Sequence, residues 1–150
     1  EIDLCWRLKN QGFRIVYSPQ ITVFHWGGAT LEYNNPRKLF LNFRNSLWSL
    51  YKNYTGKHLR LTMFLRMCIY TFAIAKYLAT FDLKNSTAII KAHLEFYRSL
   101  ANIKAKRKAL QPGIVTTVHR EMLKSSIIWN FFALSKKTFS AYHEFSSLGR

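Results

Sequence analysis

Apolar positions Ile2, Leu4, Cys5 and Leu8 recur at helical spacing, and Gly12 stands where a C-terminal cap belongs, which predicts a short helix over about residues 1–11. Residues 13–17 then alternate with β-branched side chains, Ser18-Pro19 turns the chain, and residues 21–26 read as a second strand, so a β-hairpin is expected. His25 falls at that strand's end, and Gly27-Gly28 permits a sharp bend or a ligand's close approach to the backbone. A loop to Asn35 leads into a helix opened by Pro36, with Leu39, Phe40, Phe43, Leu47, Leu50 and Tyr51 on one broad stripe. Tyr54-Thr55-Gly56 breaks the pattern. Residues 59–81 form the most apolar stretch, long enough to span a bilayer but interrupted by Arg66 and Lys76. Each of those charges costs about 2.5–3.5 kcal/mol at a bilayer centre, so a helix lying in the interface or re-entering it is preferred to a spanning one. Asp82 and Asn85-Ser86 mark a further break. An amphipathic helix over residues 87–110 follows, carrying Ile89, Ile90, Leu94, Tyr97, Leu100 and Ile103. Pro112-Gly113 stops it, and residues 122–139 make a last aromatic-rich segment before a polar tail.

The chain is long enough for one domain of ordinary size. It starts inside a helical pattern with its acids already in place, which reads as an excised or truncated piece. Charge narrows the partners: 23 lysines and arginines face 7 acids, a formal net charge of +16, so an anionic partner is expected. The 49% hydrophobic and 16% aromatic content excludes a disordered basic tail and favours a membrane surface over nucleic acid. Zinc-finger spacing, an RNP-type aromatic motif and a helix-turn-helix pattern are all missing, so no nucleic acid is expected. Cys5 and Cys68 stand in apolar helical settings, which predicts two buried thiols and a reducing compartment. The basic run 104–108, with Arg98 upstream, suits anionic lipid at about 1 kcal/mol per cation.

Taken together, Glu1-Ile2-Asp3-Leu4, Trp6-Arg7-Leu8, Gly12-Phe13-Arg14-Ile15, Pro19 and His25 resemble the C-terminal catalytic segment of family 2 glycosyltransferases, inverting enzymes of the GT-A fold. In that family an acidic run Glu-Asp-x-Asp-Leu opens a helix reading Trp-Arg-Leu, followed by Gly-(Tyr/Phe)-Arg-(Ile/Val) and Pro-x-x-x-Val-x-His. The likeness continues through Asn35-Pro36-Arg37-Lys38 and Asn42-Phe43-Arg44-Asn45, similar to bacterial members whose C-terminal helices sit against a membrane. It covers residues 1–53, about a third of the chain. Two departures stand out. Glu1 occupies the place of the family's second acid, usually Asp, and the nucleotide-binding βαβ half with its Asp-x-Asp motif has no counterpart here.

The fold class so implied is an α/β fragment: residues 1–53 as the short helix and β-hairpin edge of a GT-A domain, then residues 54–150 as a mainly α-helical, membrane-associating region. The implied reaction is inverting sugar transfer from a nucleotide-sugar donor to a cell-surface-glycan or lipid-linked acceptor, at the cytoplasmic face of the bacterial inner membrane, with this piece inactive alone. Such transfer needs a base beside the acceptor hydroxyl. The resemblance assigns that role to Glu1, with Asp3 orienting the acceptor or neighbouring loops; the plainer role for both is to complement the helix dipole. Trp6 is a candidate for stacking on a sugar face and Arg7 for pairing with phosphate, with core packing the alternative for Trp6. Gly27 and Gly28 resemble a loop near the donor diphosphate, or form a simple turn. His25 is a candidate ligand for a divalent metal, Mg2+ or Mn2+, holding that diphosphate. A non-enzymatic membrane-surface module and, less well supported, a nucleic-acid-binding domain are the rival readings.

Overall fold

The computed structural model describes residues 1–24, 35–115 and 126–138. The chain divides into two units, Glu1–Thr117 and Val118–Arg150. In the first, helices run α1 (Ile2–Asn10), α2 (Pro36–Asn53), α3 (Leu59–Ala79), α4 (Leu83–Arg98) and α5 (Leu100–Leu110), closed by a 3-10 turn at Gln111–Gly113.

Helix α2 is the element the others pack on. Asn35 starts it by accepting the Arg37 backbone N–H at 2.8 Å, and Pro36 sits in the first turn, where a missing N–H costs nothing. Its stripe places Leu47 and Leu50 in the core and Leu39, Phe43, Trp48 and Tyr51 against it. Helix α4 supplies Ile89 and Phe96, α3 supplies Met63 and Tyr70, and α5 supplies Ile103. Leu47 and Ile89 are fully buried. Rings tie the layers together: Phe43 meets Tyr70 edge-on at 4.3 Å between centroids, Tyr51 meets Phe96 at 5.9 Å, and Tyr70 stacks on His93 at 5.7 Å.

The hairpin expectation is overturned. Among the described residues there is no strand, and the first unit is mainly helical. Residues 13–17 and 21–24 carry the alternating pattern, yet Phe13, Ile15, Val16, Tyr17, Ile21, Val23 and Phe24 are all exposed. Alternation makes a strand only where a neighbouring strand takes its backbone hydrogen bonds and a layer covers its apolar face. The described residues provide neither, so the α/β edge of a GT-A domain is withdrawn for this chain. Residues 25–34, with the end of the expected second strand, lie outside the described residues.

Two helix boundaries also differ from expectation. Asp82 is a cap rather than part of a break: its carboxylate accepts the Asn85 backbone N–H at 3.1 Å and the Asn85 side chain at 2.7 Å, so α4 begins at Leu83 and buries Ser86. The helix expected over 87–110 divides at Ser99, whose hydroxyl turns back to the Glu95 and Phe96 carbonyls. Such back-bonding bends helices. Cys5 is exposed and Cys68 half-buried, so the expected pair of buried thiols is not found.

The second unit holds α6 (Ile127–Phe132), where Ser126 accepts the Trp129 backbone N–H at 3.3 Å and Phe131 meets Phe132 edge-on. Among the described residues of the aromatic-rich segment 122–139, the helix is six residues long.

Candidate functional site

The last turn of α2 leaves carbonyls without partners inside the helix, and three other segments converge on it. Arg107 of α5 donates from one guanidinium nitrogen to the Tyr51 and Tyr54 carbonyls, each at 2.7 Å, with Lys52 O at 3.5 Å. A cation at a helix C-terminus answers both the empty lone pairs and the negative end of the dipole. Helix α1 docks beside it. Asn10, buried, donates to Asn53 O at 2.8 Å, and the backbone N–H of Val115 returns to Asn10 O at 2.9 Å.

Asp3 is the hub of this junction. Its carboxylate accepts from Lys52 Nζ at 2.8 Å, from Asn53 Nδ2 at 2.7 Å and from Arg7 Nε at 3.2 Å, one turn further along α1. Partial burial pushes its pKa up, but the hydrogen bonds from Lys52 and Asn53 and the charges of Lys52 and Arg7 outweigh that, and the group lies below its ordinary 3.8. A carboxylate held ionised by three donors is a weak proton acceptor. Asp3 therefore anchors α1 on α2.

Glu1, at the N-cap of the same helix, is exposed and makes no side-chain capping bond. The junction fixes the helix and leaves its N-terminal carboxylate open. Trp6 is half-buried and packs against the core, with its Nε1 buried and without a hydrogen-bond partner among the described residues. Arg7, beyond its bond to Asp3, lines a shallow cleft with Asn10, Gln11, Lys52, Leu110 and Ile114. Its free volume, about 10 Å³, is that of one water molecule, far below the several hundred Å³ of a substrate pocket. His25, Gly27 and Gly28 lie outside the described residues. Among those described, no three of His, Cys, Asp and Glu gather into a metal site, and the Asp3 oxygens are already taken.

Sequence reasoning found Asp3 and Arg7 and missed Asn10, Lys52, Asn53 and Arg107. Two signals were available. Asn53 is a polar residue at the end of an amphipathic helix just before the Tyr54-Thr55-Gly56 break, and Arg107 is the one arginine in a run of lysines, with the rigid fork that suits several carbonyls at once. Lys104, Lys106 and Lys108 are exposed, so the run divides into one structural cation and three surface ones.

No protein-family profile, no curated protein and no solved structure matches this chain.

Proposed function

We propose that the chain is the acceptor-side C-terminal part of an inverting, family 2-like glycosyltransferase, which moves a sugar from a nucleotide-sugar donor to a cell-surface-glycan or lipid-linked acceptor at the cytoplasmic face of a bacterial inner membrane. The observation that carries it is the Asp3 junction. The likeness covers residues 1–53, and within that span Asp3 on α1 meets Lys52 and Asn53 at the end of α2 at 2.7–2.8 Å. Glu1 thereby projects from an anchored helix, as a base beside an acceptor hydroxyl requires. In this reading Glu1 takes the acceptor's proton, Asp3, Asn53 and Lys52 hold its helix still, and the donor diphosphate is bound by the nucleotide-binding half, which these 150 residues do not contain.

The test uses the enzyme that includes this chain. Glu1→Gln is expected to abolish transfer, roughly 10²–10⁴-fold or more for loss of a general base, while donor affinity stays unchanged. Full activity in that variant would refute the base. A second reading, a membrane-surface helical module without catalysis, draws on α3, whose apolar side is largely uncovered within its own unit. It predicts that no nucleotide-sugar turnover accompanies this chain in any assembly.

A further inference from the structure

Helix α3 buries one side only. Met63 and Tyr70 are in the core, with Leu59, Met67, Ile74 and Tyr77 against it. On the opposite side Leu61, Phe64, Leu65, Phe72, Ala75 and Ala79 recur at spacings of three and four and are exposed. The two charges that interrupt this stretch in sequence do not interrupt the face. Arg66 lies on the inward side, its guanidinium 5.8 Å from the Tyr70 ring, and Lys76 flanks the stripe opposite Arg60, both exposed.

The end of α3 adds an independent sign. The Phe81 N–H donates to Leu78 O and the Asp82 N–H to Tyr77 O, the paired bonds of a turn whose closing residue must take positive φ and is usually glycine. Here it is Phe81, at φ +56° and 89% exposed. An aromatic side chain at a strained position, kept out of the core, is a candidate contact rather than a packing element. Leu83 and Lys84, both exposed, stand beside it.

The charge around this face is predominantly positive. Residues 54–81 contain no acid, and residues 35–115 as a whole carry two, Asp82 and Glu95, against fifteen lysines and arginines. Repulsion disfavours a second copy of the chain as the cover, and an anionic surface is favoured. Spanning is disfavoured because the inward side of α3 is held by α2 and α4, whose own exposed positions include Arg37, Lys84, Lys91 and Arg98.

We propose that the outer face of α3, from Leu61 through Phe64, Leu65 and Phe72 to the Phe81 turn, lies in the plane of an anionic bilayer, with its apolar side chains below the headgroups and Arg60, Lys76 and Lys84 at the phosphates. This deepens the membrane part of the proposed function and is independent of its chemistry.

Vesicle partitioning of the full chain tests it. Sedimentation with phosphatidylglycerol-containing vesicles is expected to be at least tenfold stronger than with pure phosphatidylcholine, and to weaken as salt rises. Replacing both Phe64 and Phe72 by Ser is expected to weaken it at least tenfold, whereas Leu94→Ser, an exposed apolar position on α4, leaves it unchanged. Phe81→Gly separates docking from folding: it relieves the strained backbone, so the unfolding midpoint holds or rises while partitioning falls severalfold. Nitroxide labels at positions 61, 65 and 72, in a chain whose own cysteines are replaced by Ser, should all sit about 5–10 Å into the headgroup–acyl boundary. Native-strength partitioning of the Phe64/Phe72 double variant would overturn the face while leaving membrane association intact. Labels passing through the bilayer centre would replace docking by spanning. Failure of the native chain to bind would overturn both this inference and the membrane part of the function, without touching Glu1.

Discussion

Helices α1 and α3 end in the same turn, and the residue at its strained position is glycine in one and phenylalanine in the other. At the end of α1 the Gly12 N–H donates to Lys9 O and the Phe13 N–H to Leu8 O; at the end of α3, Phe81 and Asp82 repeat the pattern on Leu78 and Tyr77. Gly12, at φ +86°, lies where an added Cβ would meet the Val115 side chain at 2.8 Å, beside the junction that binds α1, α2 and α5. Phe81 has open space and takes the backbone cost. The contrast separates a region knit by polar contacts across three helices from one that leaves large apolar groups outside. The first holds a helix in place, and the second is the face proposed to meet a bilayer.

The sharpest way to break this comparison is to remove the cation at the junction. Arg107→Met keeps much of the stem and deletes the donor that the Tyr51 and Tyr54 carbonyls share. A charged hydrogen bond of this kind contributes about 1.5–3 kcal/mol, so the urea midpoint should fall by a corresponding amount. Arg60→Met, on the exposed flank of α3, should change stability by no more than about 0.5 kcal/mol. Equal effects would mean that the junction is not where the first unit's polar stability resides.

The two turns give the next largest effect, with opposite signs. Gly12→Ala forces a Cβ into positive φ at a cost of roughly 1–2 kcal/mol, and Val115, itself exposed, can turn aside from most of the close approach. Phe81→Gly should stabilise the chain by up to about 1 kcal/mol, the relieved strain being offset by glycine's greater freedom when unfolded. Unfolding curves that move in the same direction would show that the shared hydrogen bonds, rather than the residue at the turn, set the energy.

The amphipathic pattern made α2 legible, with Asn35-Pro36 marking its start and Leu47 and Leu50 its core face. Gly12 likewise announced the end of α1. Local patterns succeed where the partner is within the same few turns. They failed at residues 13–24, where alternation cannot say whether a neighbouring strand exists, and at Asn85-Ser86, where polar residues usual in breaks fall inside a helix because Asp82 has already capped it. Asp3 and Arg7 were recognisable on α1, whereas the partners that define the role of Asp3, Lys52 and Asn53, lie 49 and 50 residues away in sequence. In α3, composition suggested a membrane but counted Arg66 against spanning it, and only the packing turns that arginine inward onto Tyr70.

Acid titration gives the finest test, because Asp3 in one region and His93 in the other each change ionisation on folding. Asp3 has its folded pKa below the ordinary 3.8, so the unfolded chain binds its proton first as pH falls. Its stabilising contribution is present in full above that value and is lost as pH drops through the folded one. His93, against Tyr70 of α3, has its pKa lowered from 6.5 by burial, so it too destabilises on acidification, but its loss begins near pH 6.5. Two separate windows should follow in chemical unfolding measured against pH. Asp3→Asn should remove the lower one and leave the upper, because the stack that holds His93 involves none of the junction's charges. His93→Phe should do the reverse. Asp3 is about a third exposed and screened by solvent, so its window shrinks in salt. If Asp3→Asn abolished both windows, the junction and the α3 side would be one electrostatic unit, and the division between a region that holds and a region that meets would fail.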